Sequence, residues 1–182
     1  MTKDDLEASL KKMMRKKPIQ KITIQDLTTD CGISRMAFYY HFKDIYDLVE
    51  WSCEADGRRA LQGKKTYDTW QEGLLQIFEV VLENKTFIMN VYHNVSREQI
   101  EGFLYKMMYQ LLKEVVEEQA QDVAVSEEEK EFIANLYKYS FVGILLDWIR
   151  LDMKEDPKRL VEKISTALHG NIANSVKNFS RN

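Results

Sequence analysis

At 182 residues, with 45% apolar and 30% charged content, the chain suits one compact unit or a small domain beside a larger one, with ample material for a core. Two cysteines without metal-ligand or Cys-x-x-Cys spacing exclude a disulfide framework. No apolar run reaches membrane-spanning length, and acids stand at positions 4 and 5 where a signal peptide needs basic residues, so a cytoplasmic protein without membrane partners is expected. The net charge of −3 hides an asymmetry: residues 1–43 hold nine Lys or Arg against five Asp or Glu, net +4, and the remainder seventeen against twenty-four, net −7. Such a split is expected when one module docks on a polyanion that the other avoids. Seven Gly, two Pro and the absence of period-two alternation predict an all-α fold of about nine helices.

A first helix is predicted over residues 3–16, with Leu6, Leu10, Met13 and Met14 on one face and Pro18 beyond its end. Acids at its start and lysines at its end complement the helix dipole. Thr23 is placed to cap a second helix, whose apolar face is Ile24 and Leu27 and which ends at Cys31. Gly32 can take the positive φ that closes a helix, and Ser34 caps the next one. Ile33 before that cap and Phe38 four positions after it have the spacing of a hydrophobic staple, which makes Phe38 the inner face. At about 100° per residue, Phe42 falls on nearly the same side, while Met36 and Tyr40 fall opposite, flanked by Ala37 and Tyr39. With Arg35 at the start and His41 and Lys43 at the end, the outer face offers donors, a cation and apolar tips suited to base edges and phosphates. By themselves the aromatics would be read as packing on a core. Two short helices joined at a glycine, however, make a helix-turn-helix, whose first helix crosses the DNA backbone while the second enters the major groove.

Ile22-Thr23-Ile24, Asp26-Leu27, Cys31-Gly32-Ile33-Ser34 and Phe38-Tyr39-Tyr40-His41-Phe42-Lys43 together resemble the signature of the TetR family of transcriptional regulators. The resemblance implies a helix-turn-helix DNA-binding domain at 1–45 and a helical regulatory and dimerisation domain at 46–182. It implies phosphate contacts by Thr23, Tyr39, His41 and Lys43 and base contacts by Arg35, Met36, Ala37 and Tyr40, with Ser34 at the helix start among the DNA-binding residues. This chain has Thr28 where the family often has Ala, and Asp44-Ile45 where it often has Asn-Lys. The second departure removes a phosphate contact. Asp44 and Asp47 instead give the next helix an acidic start, which suits its positive N-terminus but repels phosphate, so affinity leans more on a dimer. Lys11, Lys12, Arg15, Lys16 and Lys17 fit either DNA steering or a solvated helix face.

A supporting helix is predicted over 45–62, apolar near its start at Leu48, Val49 and Trp51, followed by a break around Gly63. Trp70, Leu74, Leu75, Phe78, Val81 and Leu82 predict a helix over 69–83, and Thr86 is read as the cap of a short apolar segment over 87–92. Ser96 opens a helix whose apolar set runs from Ile100 through Met107 and Met108 to Val116, predicted to be buried along one face, with the methionine pair read as core in preference to a ligand-cavity wall. Ser126 and Glu129 form a capping box for a helix that is apolar nearly all round from Tyr139 to Leu151. Pro157 opens a last helix carrying Leu160, Ile164, Leu168, Ile172, Val176 and Phe179.

A helix apolar on more than one side needs a partner chain, so a homodimer is predicted. The resemblance implies that the last two helices form this interface, with Gly143, Ala167 and Gly170 permitting close approach. The function expected is a transcriptional regulator, a repressor of a double-stranded DNA operator, modulated by an effector in the C-terminal domain. The alternative is an activator answering to a protein coregulator. It rests on a similarity of Tyr67-Asp68-x-Trp70 and Gly143-Ile144-Leu145-x-x-Trp148-Ile149 to regulators of dihydroxyacetone kinase operons. An apolar cavity with a few polar groups would favour a small effector, and a filled core with an exposed groove a protein. No Gly-rich phosphate loop, nucleophile constellation or metal-spaced cluster is present, and His93 and His169 lack acidic or cysteine neighbours, so no catalytic residue, cofactor or metal is expected.

Overall fold

The structure, a computed structural model, describes residues 3–61, 69–168 and 170–180. The break expected around Gly63, the Tyr67-Asp68 pair and His169 lie outside them. The described residues are helical, without strands: α1 (Lys3–Met14), a 3-10 turn (Ile19–Lys21), α2 (Ile24–Cys31), α3 (Arg35–His41), α4 (Ile45–Ala60), α5 (Trp70–Glu83), α6 (Lys85–Asn94), α7 (Arg97–Gln119), α8 (Glu127–Arg150), α9 (Pro157–Leu168) and α10 (Asn171–Phe179). The stretch predicted as one last helix is two, because Gly170 stands left-handed at φ 71° ahead of α10. Thr86 does not cap α6. That position belongs to Asn84, which directly links α5 to α6 and donates from its backbone N–H and from Nδ2 to the carbonyl of Val80, at 3.1 and 2.9 Å.

Two hydrophobic cores result. Leu6, Leu10, Leu27 and Phe38 bring α1, α2 and α3 together, and Leu48 and Val49 of α4 with Phe87 and Val91 of α6 close that core. The second joins α5 and α7 to α10 around Phe78, Met108, Val115, Val142, Leu145 and Val176, with α7 and α8 forming its most extensive helix pair. Ile88 and Ile100 pack against both. Phe78 meets Trp148 edge-on at 5.0 Å, and Trp148 Nε1 donates to the Glu155 carbonyl at 2.9 Å, closing the turn after α8. In that turn Asp152 and Met153 hold φ of 61° and 53°. Left-handed backbone costs about 1–2 kcal/mol at such residues. The burial of Met153 and its N–H bond to the Trp148 carbonyl at 2.9 Å hold it there.

Two devices fix the first three helices on the rest. Asn90 of α6 uses its whole amide: Oδ1 accepts from Ile19 N at 3.1 Å, and Nδ2 donates to the carbonyls of Met14 and Lys17 at 2.8 and 2.9 Å. It thereby satisfies groups freed where α1 ends, which a buried chain cannot leave unpaired. Across α1 and α4, Lys11 pairs with Glu7 and Asp56 at 2.7 Å each, and Arg59 reaches Glu7 at 2.9 Å and Asp56 at 2.5 Å.

Candidate nucleic-acid interface and the adjoining cavity

The turn that presents α3 is fixed by local chemistry. Thr23 Oγ1 accepts from Asp26 N at 3.1 Å while Asp26 Oδ2 accepts from Thr23 N at 3.0 Å, a reciprocal box at the start of α2. Gly32 ends α2 at φ 67°, and Ser34 Oγ accepts from Ala37 N at 3.1 Å to start α3. Both hydroxyls act as acceptors in these caps; that of Ser34 keeps its proton for an incoming oxygen, whereas that of Thr23 also faces the Asp26 carboxylate. Phe38 is fully buried, whereas Met36 and Tyr40 are 84% and 85% exposed and Tyr39 is 51% exposed. Arg35 and Lys43 are exposed beside them, and Ala37 and His41 are half-buried. Large apolar side chains left in water on a seven-residue helix are not accounted for by packing.

The far end of α3 is pinned from inside. Phe42 lies 5.8 Å from Trp51 of α4, and Lys3 Nζ sits 5.1 and 5.5 Å from the two ring centroids. His41 meets Tyr40 edge-on at 5.0 Å. Asp44 Oδ1 accepts from Asp47 N at 2.9 Å and Asp47 Oδ2 from Lys43 N at 2.8 Å, so the two acids at the start of α4 cap that helix and hold the backbone of Lys43. In the basic stretch, Lys12 pairs with Asp30 at 2.6 Å and Lys17 with Asp26 at 2.9 Å, and Lys11 is taken by the α1–α4 network. These three lysines are engaged by acids; Arg15 and Lys16 stay exposed, without such pairs among the described residues. The Lys17 ammonium and the Thr23 N–H hold the Asp26 carboxyl below its usual range, and the Lys12 ammonium and Ser9 hydroxyl do the same for Asp30.

Behind this surface lies a cavity of about 510 Å³ between α4, α5, α6, α7 and α8. It is of ligand size. Val80, Val91, Ile100, Phe103, Met107 and Ile149 form much of its wall, and Tyr46, Asp47, Glu50, Cys53, Asp56, Tyr92 and Gln99 supply polar groups. Of the methionine pair read as core, Met108 is core and Met107 is wall; Met107 Sδ also lies so close to Gly57 that a Cβ there would force the methionine to move. The first half of α7 is therefore not buried throughout: Ile100, Phe103 and Met107 are only half-buried. Cys53 is half-buried on the cavity wall, where desolvation, aided by Asp56, pushes its thiol up to about 12. Cys31 is half-buried as well, and burial raises its thiol. Neither cysteine is in a disulfide. Sequence reasoning missed the cavity because a helix face that walls a void has the same apolar spacing as one that meets a neighbour.

Elsewhere, α8 leaves Phe132, Leu136, Tyr139 and Leu151 more than half exposed. Phe132, Leu136, Tyr139 and Gly143 follow one another at steps of four, three and four, so they form one stripe. Phe179 of α10 meets Phe132 at 6.1 Å, extending it, and the outward face of Gly143 is open. Among the described residues there is no three-residue His, Cys, Asp or Glu group able to hold a metal ion, and no helix long and apolar enough to cross a membrane.

A helix-turn-helix with solvent-facing aromatics, mounted on a larger helical bundle with a ligand-sized, partly open cavity, defines a class of regulatory protein. Residues 68–170 match the TetR-type family model described as "Transcriptional regulator C-terminal region", and the chain belongs to the TetR family of transcriptional regulators. It is similar to the "HTH-type dhaKLM operon transcriptional activator DhaS" of Lactococcus lactis, 26% identical over 135 residues that span 73% of this chain and 71% of that protein. A second relative, the "Uncharacterized HTH-type transcriptional regulator YerO" of Bacillus subtilis, is 23% identical over 180 residues, 87% of this chain and 62% of its own length. The fold matches the solved structure of a "Dihydroxyacetone kinase operon activator DhaS", with a TM-score of 0.72 at 22% identity, covering 99% of this chain and 98% of that one. A putative transcriptional regulator of Pseudomonas aeruginosa PAO1 shares the fold at a TM-score of 0.59 and 16% identity, over 97% and 93% of the two chains.

Proposed function

We propose that this regulator binds DNA sequence-specifically as a homodimer in the cytoplasm, with residues 1–45 as the DNA-binding unit and 46–182 as the regulatory and dimerisation unit. The observation that carries the reading is the outer face of α3, where Met36 and Tyr40 stand almost wholly in solvent on a helix fixed at both ends. Arg35, Met36, Ala37 and Tyr40 meet base edges, while Thr23, Ser34, Tyr39, His41 and Lys43 hold the phosphate backbone. The exposed stripe of α8, extended by α10, packs on its copy in a partner chain and sets two α3 helices about 34–36 Å apart, one turn of DNA. A small effector in the cavity shifts the population between spacings that fit DNA and spacings that do not, and DNA and effector then act reciprocally. The cavity favours such a ligand over a protein coregulator.

An electrophoretic mobility assay on DNA upstream of the gene and its neighbours tests this. A retarded complex that survives unrelated competitor DNA at low salt is expected, and failure with every upstream fragment would sink the proposal. Tyr40→Ala should lose about 1–3 kcal/mol of discrimination, whereas Lys43→Ala should weaken specific and non-specific binding alike. Equal losses in the two variants would refute the division of roles. Repression is the sign read from the sequence; the similarity to DhaS, named an activator, favours a second reading in which the bound dimer raises transcription. A reporter behind the retarded fragment separates them, falling with the regulator present in the first case and rising in the second.

A further inference from the structure

The geometry points to an apolar organic cation as the ligand of the cavity, an inference that rests on reading this cavity as the effector site. The acids on its lining come from one helix: Asp44, Asp47, Glu50 and Asp56 of α4 and its cap. Three of them have work inside the protein. Asp44 and Asp47 cap helix and turn N–H groups, and Asp56 is shared by Lys11 and Arg59. Glu50 has neither an ion pair nor a hydrogen bond among the described residues, yet it lies on the cavity lining. Among the described residues, the only lysine or arginine on that lining is Lys43. Glu50 stays exposed to water, so a neutral molecule gains nothing from it, and an anion would face it and Asp47 along the lining. A cation gains from both, because opposite charges attract more strongly beside a low-dielectric wall than in bulk water. The remaining wall fits the same guest. Tyr46, Tyr92 and Phe103 offer ring faces and Met107 a polarisable sulfur, both favourable to a soft, poorly hydrated cation. The volume of about 510 Å³ and the predominance of Val, Ile and Leu require that its body be hydrocarbon.

Two probes of the same shape and opposite charge decide the matter: tetraphenylphosphonium and tetraphenylborate, each titrated into the full chain without DNA and followed by calorimetry. The phosphonium should bind at least about tenfold more tightly than the borate, the scale of one partly screened charge pair. Glu50→Gln should bring the two within about threefold of each other by weakening the phosphonium. Gly102→Leu is the second variant. A Cβ at Gly102 meets nothing within 4 Å and the residue lies on the lining, so leucine adds bulk to the lining without a clash, and phosphonium affinity should drop. Borate binding as tightly as phosphonium, a preference that survives Glu50→Gln, or binding indifferent to Gly102→Leu would each overturn the assignment. Because no DNA is present, such a failure is distinct from a failure to retard an operator.

Discussion

The first three helices and the C-terminal bundle hold their shapes by different means. α2 and α3 are eight and seven residues long, too short to persist in water alone, and each is started by a side-chain cap and joined to the other through a left-handed glycine. α7 and α8, at 23 and 24 residues, are held chiefly by the faces they bury, and those faces tolerate an open cavity beside them. The contrast teaches where each half is vulnerable: in the first, geometry depends on single hydrogen bonds and a few buried rings, and in the second it is spread over many contacts.

The largest expected effect tests whether the small core has any redundancy. Phe38→Ala removes a fully buried ring from the centre of that core and should cost about 3–5 kcal/mol in denaturant unfolding. A loss below about 1 kcal/mol would mean that the module is not held by its core. Next, Asn90→Ala strips partners from Ile19 N and from the carbonyls of Met14 and Lys17, and should cost about 1–3 kcal/mol. Hydrogen exchange ought to show faster turnover at Ile19 while α8 stays protected. Ser34→Ala should cost about 1 kcal/mol and fray the start of α3, measured by the same exchange. The smallest effect is acidic. Asp26 and Asp30 are held below their ordinary value of 3.8, so the stability they add is present above that value and is lost as pH falls through their lower folded values. Denaturant midpoints for the native chain and for Asp30→Asn should therefore converge below pH 3.8, and parallel curves would remove Asp30 from the account.

Much of the short-helix module was legible because its determinants lie three to five residues apart: Thr23 with Asp26, Ser34 with Ala37, Ile33 with Phe38. The same locality made the Ser96 and Ser126 starts of α7 and α8 readable. Thr86 misled because a cap-forming side chain says nothing about where the preceding helix ends, and the turn of α5 into α6 at Asn84 had already passed. Gly170 was taken for a close-packing residue when its backbone breaks the last helix. Asn90 carried no signal at all, since its partners lie more than 70 residues away. Glu50 was equally silent: only the packing of α6 and α7 beside α4 places this exposed acid on a cavity lining.

α6 is a wall common to both cores, with Phe87 and Val91 on one side and Ile88 touching each. A shared wall forbids independent melting: neither core can come apart without stripping the other of its cover. The molecule should consequently unfold in one cooperative transition, with calorimetric and van't Hoff enthalpies in agreement, despite its two-part plan. Residues 1–45 cut free would leave behind Leu48, Val49, Phe87 and Val91, and would be a chain with the recognition surface written into it but nothing to hold that surface in place.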